Sequence, residues 1–421
     1  MTKYWFFIIS GLLINLELVA QTSSEQSLDY SKFIETVQTN NIAFAAERFS
    51  LDMAETEVIS ARAFIDPELQ FGYFDNGDAN RLMGKGFSVD MDWTIELGGK
   101  RKARVNLAKS EVELTKLVLL DYFKNLKADA TIGFIESLYQ KEILKVKENS
   151  FEMMNQLAKS DEVRFKLGEI SETDARQSRL EAQTMKNEVM QAETEFSTSK
   201  IRLALFTGND QETLSTEGDL KSFQRDFDLI DLMEQALLNR TDYLTALQSK
   251  NVSQRLIELA KANRAIDLGI SFGVEHSTEV RNLDAETPQF TQLRGGISIP
   301  LKFSNRLNNE VKIAQMQLKQ SELQYKQIEL EIKTQVRESY QLYESYKKQL
   351  KQSDVEMLKN ADLILDAKKY SYKRGNSSLL EVLDAQRTYN EIQDQYLETL
   401  FNCASSLVEL ERAVGIWDIE F

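Results

Sequence analysis

From Phe87 the chain alternates strictly. Phe87, Val89, Met91, Trp93, Ile95 and Leu97 are apolar, while Ser88, Asp90, Asp92, Thr94 and Glu96 between them are polar. Successive side chains of a β-strand point to opposite faces, so this period predicts a strand with one apolar and one polar face. Its length fits the ~9–11 residues that a tilted strand needs to cross a bilayer. The odd-numbered residues from Leu293 to Phe303 (Leu293, Gly295, Ile297, Ile299, Leu301, Phe303) repeat the pattern. Each run has a shorter partner upstream: Leu69, Phe71 and Tyr73 after Pro67, and Leu268, Ile270, Phe272 and Val274. Strands are therefore expected near 68–75, 87–97, 268–275 and 292–303. An antiparallel sheet resting one face on a soluble core gives the same alternation. Acids in the middle of the second strand suit a water-filled lumen better, so Asp90, Asp92 and Glu96 face either a pore or a solvated sheet surface.

Elsewhere the apolar spacing is three and four. It predicts helices over 28–64, from Arg101 to about Lys166, from Glu172 to Phe206, over 229–266, from about Arg306 to Tyr372, and over 379–413. On the last, the seam Tyr396, Leu400, Cys403, Leu407 and Leu410 has coiled-coil spacing, which makes Cys403 a small core hydrophobe. Only 3 prolines interrupt the 421 residues. A helix over residues 101–166 spans ~100 Å at ~1.5 Å per residue. Both halves repeat one plan: Phe165-Lys166-Leu167-Gly168 and Tyr372-Lys373-Arg374-Gly375 each precede a helix, and Gly168–Gly208 and Gly375–Gly415 are both 40 residues apart. That match argues duplication of a supersecondary unit. The organisation expected is an export signal over 1–20, a first repeat over 28–208, a connector over 209–227, a second repeat over 228–415 and a tail over 416–421.

The net charge of −15 argues against nucleic acid as a partner. One Cys excludes an internal disulfide, and one His, His276 in an expected polar loop, leaves no transition-metal cluster. No nucleophile–base constellation or phosphate loop points to an enzyme, and no cofactor is expected. Lys3 followed by the apolar run Trp5–Leu13 reads as the signal for export. Helices of this length must pack side by side. Four membrane strands are too few to close a barrel, and unpaired edges in lipid cost several kcal/mol per group. Other copies of the chain must supply the missing strands; three copies give twelve, within the range of outer-membrane barrels.

With two strand hairpins and two helical hairpins in hand, the chain resembles the TolC-type outer membrane efflux proteins. The segment from Tyr372 to Arg387 is the most specific piece, and Glu96-Leu97-Gly98-Gly99-Lys100-Arg101 is similar to the CzcC branch, the partners of heavy-metal exporters. The fold this implies is mainly α with membrane β: long antiparallel helical hairpins and four strands contributed to a trimeric 12-stranded barrel. It also implies outer-membrane localisation in a Gram-negative-type cell, with the helices in the periplasm. The expected partners are a homotrimer, a periplasmic adaptor, an inner-membrane RND-type transporter and outer membrane lipid.

Glu381 and Asp384 share a helix face just past Gly375. In a trimer they would form rings of carboxylates at the mouth, favouring cations; for Glu381, Ser378-Leu379-Leu380-Glu381 also reads as a capping box. The family resemblance implies an acidic mouth ring at both positions. It also implies that Asp174 bonds the tyrosine matched by Tyr372 in a closed state, although Ser377 stands where the family's well-studied member has arginine. The turns Leu167, Gly168, Ile170, Ser171 and Arg374, Gly375, Ser377, Ser378 are expected as the tips, their glycines serving as helix C-caps; by resemblance the tips meet the adaptor. Lys100, Arg101, Lys102 and Arg104 form a basic cluster past the second strand, suited either to lipid phosphates or to a solvated helical turn. The functional expectation is a passive exit duct of a tripartite efflux pump, possible cargo being heavy-metal cations. Its alternatives are a periplasmic coiled-coil or adaptor protein and the duct of a protein secretion system.

Overall fold

Unbroken helix-forming runs set the architecture. A computed structural model describes residues 26–75, 83–209, 214–218, 225–282, 284–352 and 355–418; the expected signal segment lies outside them. The first half runs β1 (Gln26–Leu28), α1 (Tyr30–Asn40), α2 (Ile42–Arg62), β2 (Glu68–Asp75), β3 (Lys85–Ile95), α3 (Lys100–Lys166) and α4 (Glu172–Thr207). After β4 (Leu214–Thr216), the second half repeats the order: α5 (Leu229–Asn239), α6 (Thr241–Ala262), β5 (Leu268–Ser277), β6 (Phe290–Ser298), α7 (Arg306–Gln352), α8 (Val355–Lys373) and α9 (Leu379–Val414). Among the described residues no helix is long and apolar enough to cross a membrane.

Two expected helices are broken within the described residues, and the one expected from about Arg306 to Tyr372 is described as α7 and α8, on either side of 353–354, which lie outside the described residues. The one over 28–64 is interrupted at Asn41, which is extended (φ −63°, ψ 118°). Its side chain accepts from the Phe44 N–H at 2.8 Å and donates to the Phe206 carbonyl at 3.0 Å, capping α2 while holding α4. The one over 229–266 breaks at Arg240 (φ −71°, ψ 124°). Gly208 and Gly415, at φ 68° and 76°, lie against these breaks. A Cβ on Gly208 would stand 2.4 Å from the Asn40 carbonyl oxygen, and one on Gly415 3.0 Å from that of Asn239. The expected connector also differs: β4 lies within it and pairs in parallel with β1, Leu28 opposite Thr216.

The four longer strands form one antiparallel sheet in the order β2-β3-β5-β6. The period-2 pattern becomes rows across it: Phe71, Val89, Val274 and Leu293 align, as do Leu69, Met91 and Phe272. This face has no core beneath it, for Phe71 and Leu293 are 77% and 83% exposed, which removes the soluble-sheet reading. His276 lies in β5 rather than a loop, against Phe87 at 5.3 Å between rings. The strand expected to Phe303 ends at Ser298, because Pro300 has no N–H for the ladder. β2 and β6 each keep one unpaired edge.

Two large apolar clusters hold the helices together, and a small third one (Ala260, Val311, Ala314) joins α6 to α7. The larger, with Phe33, Phe134, Leu203, Tyr343 and Leu407, joins both halves at mid-length. Cys403 is buried there, and burial pushes its thiol up to about 11. The smaller, with Met154, Leu157, Met185, Tyr372 and Val382, lies near the helical tips. Polar pairs separate them on the same seam: Lys147 with Asp394 at 2.6 Å and Ser150 with Asn390 at 2.8 Å.

Candidate functional site at the hairpin tips

Each tip is shaped by a glycine and a serine. α3 closes with the Glu169 N–H donating to the Arg164 carbonyl and the Gly168 N–H to that of Phe165, both at 2.9 Å. The Asn376 N–H donates to Ser371 at 3.0 Å and the Gly375 N–H to Tyr372 at 2.9 Å. This closure needs a left-handed residue, and Gly168 and Gly375 supply it at φ 79° and 76°. Ser171 and Ser378 then cap the returning helices. Leu167 is exposed and Ile170 half-buried; Arg374 lies over the Tyr370 ring at 4.3 Å, and Ser377 donates to the Lys368 carbonyl at 3.4 Å.

The two caps differ by one methylene. Glu381 Oε1 reaches back to the Ser378 N–H at 3.2 Å, completing a reciprocal box. Asp174 is too short to do so and accepts from the Ser171 hydroxyl instead, at 2.7 Å. Glu381 also binds Lys368 at 2.6 Å, and that hydrogen bond holds its carboxyl below the usual range. Asp384 is exposed one turn further on, with no ion pair among the described residues.

Within the protomer Tyr372 does not meet Asp174. Its hydroxyl donates to Asp161 Oδ1 on α3 at 3.0 Å, with both residues buried. Arg164 lies 5.0 Å over the Tyr372 ring and 3.6 Å from Asp161, so the cation beside this pair comes from α3, not from position 377. Burial pushes the Asp161 carboxyl up; burial and the neighbouring Asp161 raise the Tyr372 hydroxyl, keeping it a donor. Asp161 was missed in the sequence because it is one acid among many. Its signal was position: Met154, Leu157 and Asp161 step by three and four along the seam.

At the opposite end, Asp90 faces the polar side of the sheet, and Arg294 bridges it at 3.3 Å and Glu275 at 2.9 Å. Asp92 is partly exposed on β3. Glu96 lies beyond β3 and grips Arg104 at 2.7 Å, so it is a joint rather than a lumenal charge. Lys100 is likewise engaged, with Asp267 at 2.5 Å.

Comparison with known proteins agrees with this anatomy. Residues 232–416 match the sequence profile of the outer membrane efflux proteins. The cobalt-zinc-cadmium resistance protein CzcC of Cupriavidus metallidurans is 24% identical over 380 residues, covering 89% of this chain and 87% of the relative. The pyoverdine export outer membrane protein OpmQ of Pseudomonas putida is 22% identical over 410 residues, covering 92% and 86%. In fold, the chain is similar to the crystal structure of CusC (TM-score 0.75, 16% identity, 93% of each chain). It is also similar to the CmeC outer membrane channel of Campylobacter jejuni (TM-score 0.75, 15% identity, 98% of this chain and 94% of that one). With two matched hairpins, an uncovered apolar sheet and a profile match over its second half, the chain is similar to the TolC-type outer membrane efflux proteins.

Proposed function

We propose that three copies of this chain close into one passive duct through the outer membrane, the exit of a tripartite pump whose cargo includes heavy-metal cations. The observation that carries this reading is the four-stranded sheet with an exposed apolar face and two open edges, mounted on helical rods. Twelve strands from three protomers satisfy those edges, and the helices continue the passage through the periplasm. The tips around Gly168 and Gly375 dock the periplasmic adaptor, which joins the duct to an inner-membrane RND-type transporter. Glu381 and Asp384 from each copy ring the mouth, where negative charge favours cations. Metal cargo is supported by the likeness to a cobalt-zinc-cadmium resistance protein across most of both chains.

Planar-bilayer recording of purified protein tests the reading. The wild type is expected to conduct with cation preference, and Glu381→Gln with Asp384→Asn to bring that preference toward unity. Unchanged preference would overturn the acidic mouth. A protein that stays monomeric in detergent and conducts nothing would overturn the duct.

A further inference from the structure

Charge is distributed unevenly between the two rims of the sheet. On the helical side, the segments entering or leaving the strands are 62–66, 96–106, 261–267 and 300–306. Together they hold nine Lys or Arg against three Asp or Glu, in a chain whose net charge is −15. On the far side, 75–85 and 277–290 hold three Lys or Arg against five Asp or Glu. The positive collar is only partly used internally. Lys100 and Arg104 are paired with Asp267 and Glu96, and Lys302 donates to the Asn263 and Ala265 carbonyls at 2.8 and 2.5 Å. Arg101 donates its Nε to the Arg62 carbonyl at 2.6 Å and lies 4.0 Å over the Phe64 ring, and among the described residues no carboxylate pairs with it. Lys102, Arg62 and Arg264 are exposed and unpaired among the described residues as well.

Apolar side chains continue past the strands into this collar. Ile299, Leu301 and Phe303 keep the parity of Leu293 and Ile297 on the uncovered face, although the ladder has ended. Phe303, at 89%, is the most exposed of the described large apolar side chains, and Phe64 is 66% exposed. Water is a poor neighbour for such residues. A membrane boundary satisfies both sets at once, with acyl chains against the rings and phosphates against the cations.

We infer that the base of the sheet is a phospholipid-binding collar: Arg101 and Lys102 hold the phosphates of anionic phospholipids in the leaflet on the helical side, and Phe64, Leu301 and Phe303 enter the acyl region beneath them. The inference rests on the outer-membrane reading above. It is continuous with the apolar sheet face, and the opposite rim, being net acidic, lacks the same chemistry.

Full-length protein reconstituted in phosphatidylethanolamine–phosphatidylglycerol vesicles tests it. A bimane label is placed at Phe303→Cys or, as a reference, at Leu293→Cys; the native Cys403 is buried. Lipids brominated near the headgroup end of the acyl chain are expected to quench both labels. If the label at 293 is quenched and that at 303 is not, the collar is overturned and the membrane reading stands; if neither is quenched, the membrane reading itself falls. Independently, Arg101→Gln with Lys102→Gln should lower phosphatidylglycerol retention in native mass spectrometry roughly thirtyfold relative to phosphatidylcholine, as expected for two interfacial cations. Equal retention by wild type and variant would overturn the assignment of those two residues.

Discussion

The two halves of the chain share a backbone and differ in what they bond. Superposed by the 207-residue offset that places Gly375 on Gly168, Ser378 falls on Ser171 and Glu381 on Asp174, so both returning helices start under a serine cap. The buried linkage does not repeat. Tyr372 falls on Phe165, which has no hydroxyl, and its acceptor Asp161 falls on Lys368, an ion-pair partner of Glu381. In the proposed trimer six hairpins form the ring, and every second junction carries the buried tyrosine–carboxylate bond. The repeat keeps the glycine and serine caps and varies what is buried beside them.

The mid-length glycines are the strongest way to break this comparison. Gly208→Ala and Gly415→Ala combine a left-handed backbone with a clash against a carbonyl, and each should cost roughly 2–5 kcal/mol in unfolding experiments. Gly168→Ala and Gly375→Ala face open space and should cost only ~1–2 kcal/mol. Equal losses at all four would mean that close approach at mid-length has no role.

Glu411 sharpens the asymmetry further, since its counterpart is Ala204. It is 5% exposed near Asp418 and Arg225, and burial, followed by the Asp418 carboxylate, pushes its pKa up to about 9. The folded chain thus holds a proton that the unfolded chain releases in the ordinary carboxylate range. The contribution of Glu411 to stability is greatest below that range and falls as pH rises toward about 9. Thermal scans should lose roughly 2–3 kcal/mol between about pH 6 and about pH 9, and Glu411→Gln should flatten the slope. A wild type with no slope would sink this assignment.

Removing the Tyr372 hydroxyl tests the unequal junctions. Tyr372→Phe leaves Asp161 buried without its donor, a loss of about 1–2 kcal/mol, and should raise single-channel conductance if the junction holds the mouth narrow. Asp174→Asn, whose hydrogen bonds among the described residues are to the Ser171 cap, should leave conductance unchanged. The reverse result would restore the pairing that resemblance implied.

What was legible in the sequence was local. The alternation from Phe87 named the apolar face of β3 because a strand's period is fixed by its own backbone, and the tips were visible because Gly168, Ser171, Gly375 and Ser378 cap helices over a few residues. Distant causes were hidden. Asn41 breaks a helix because it reaches the Phe206 carbonyl, and Arg240 because it is tied to Asp242 and the Ala413 carbonyl. Glu96 continues the alternation of β3, which suits a lumen or a solvated sheet face, yet Arg104 draws it into the joint. Asp161 looks solvated until Tyr372 arrives from 211 residues away.

The pairing of β1 with β4 has a consequence for assembly. A parallel pair cannot be joined by a tight turn, so the whole first helical hairpin is the loop that brings Leu28 to Thr216. That buckle closes the first half using its own residues and those just after it. β3, by contrast, finds its inner neighbour only when β5 has been made. The dependence therefore differs between rods and staves: the first half carries a buckle of its own, whereas β3 gains its inner neighbour only once the second half has reached β5.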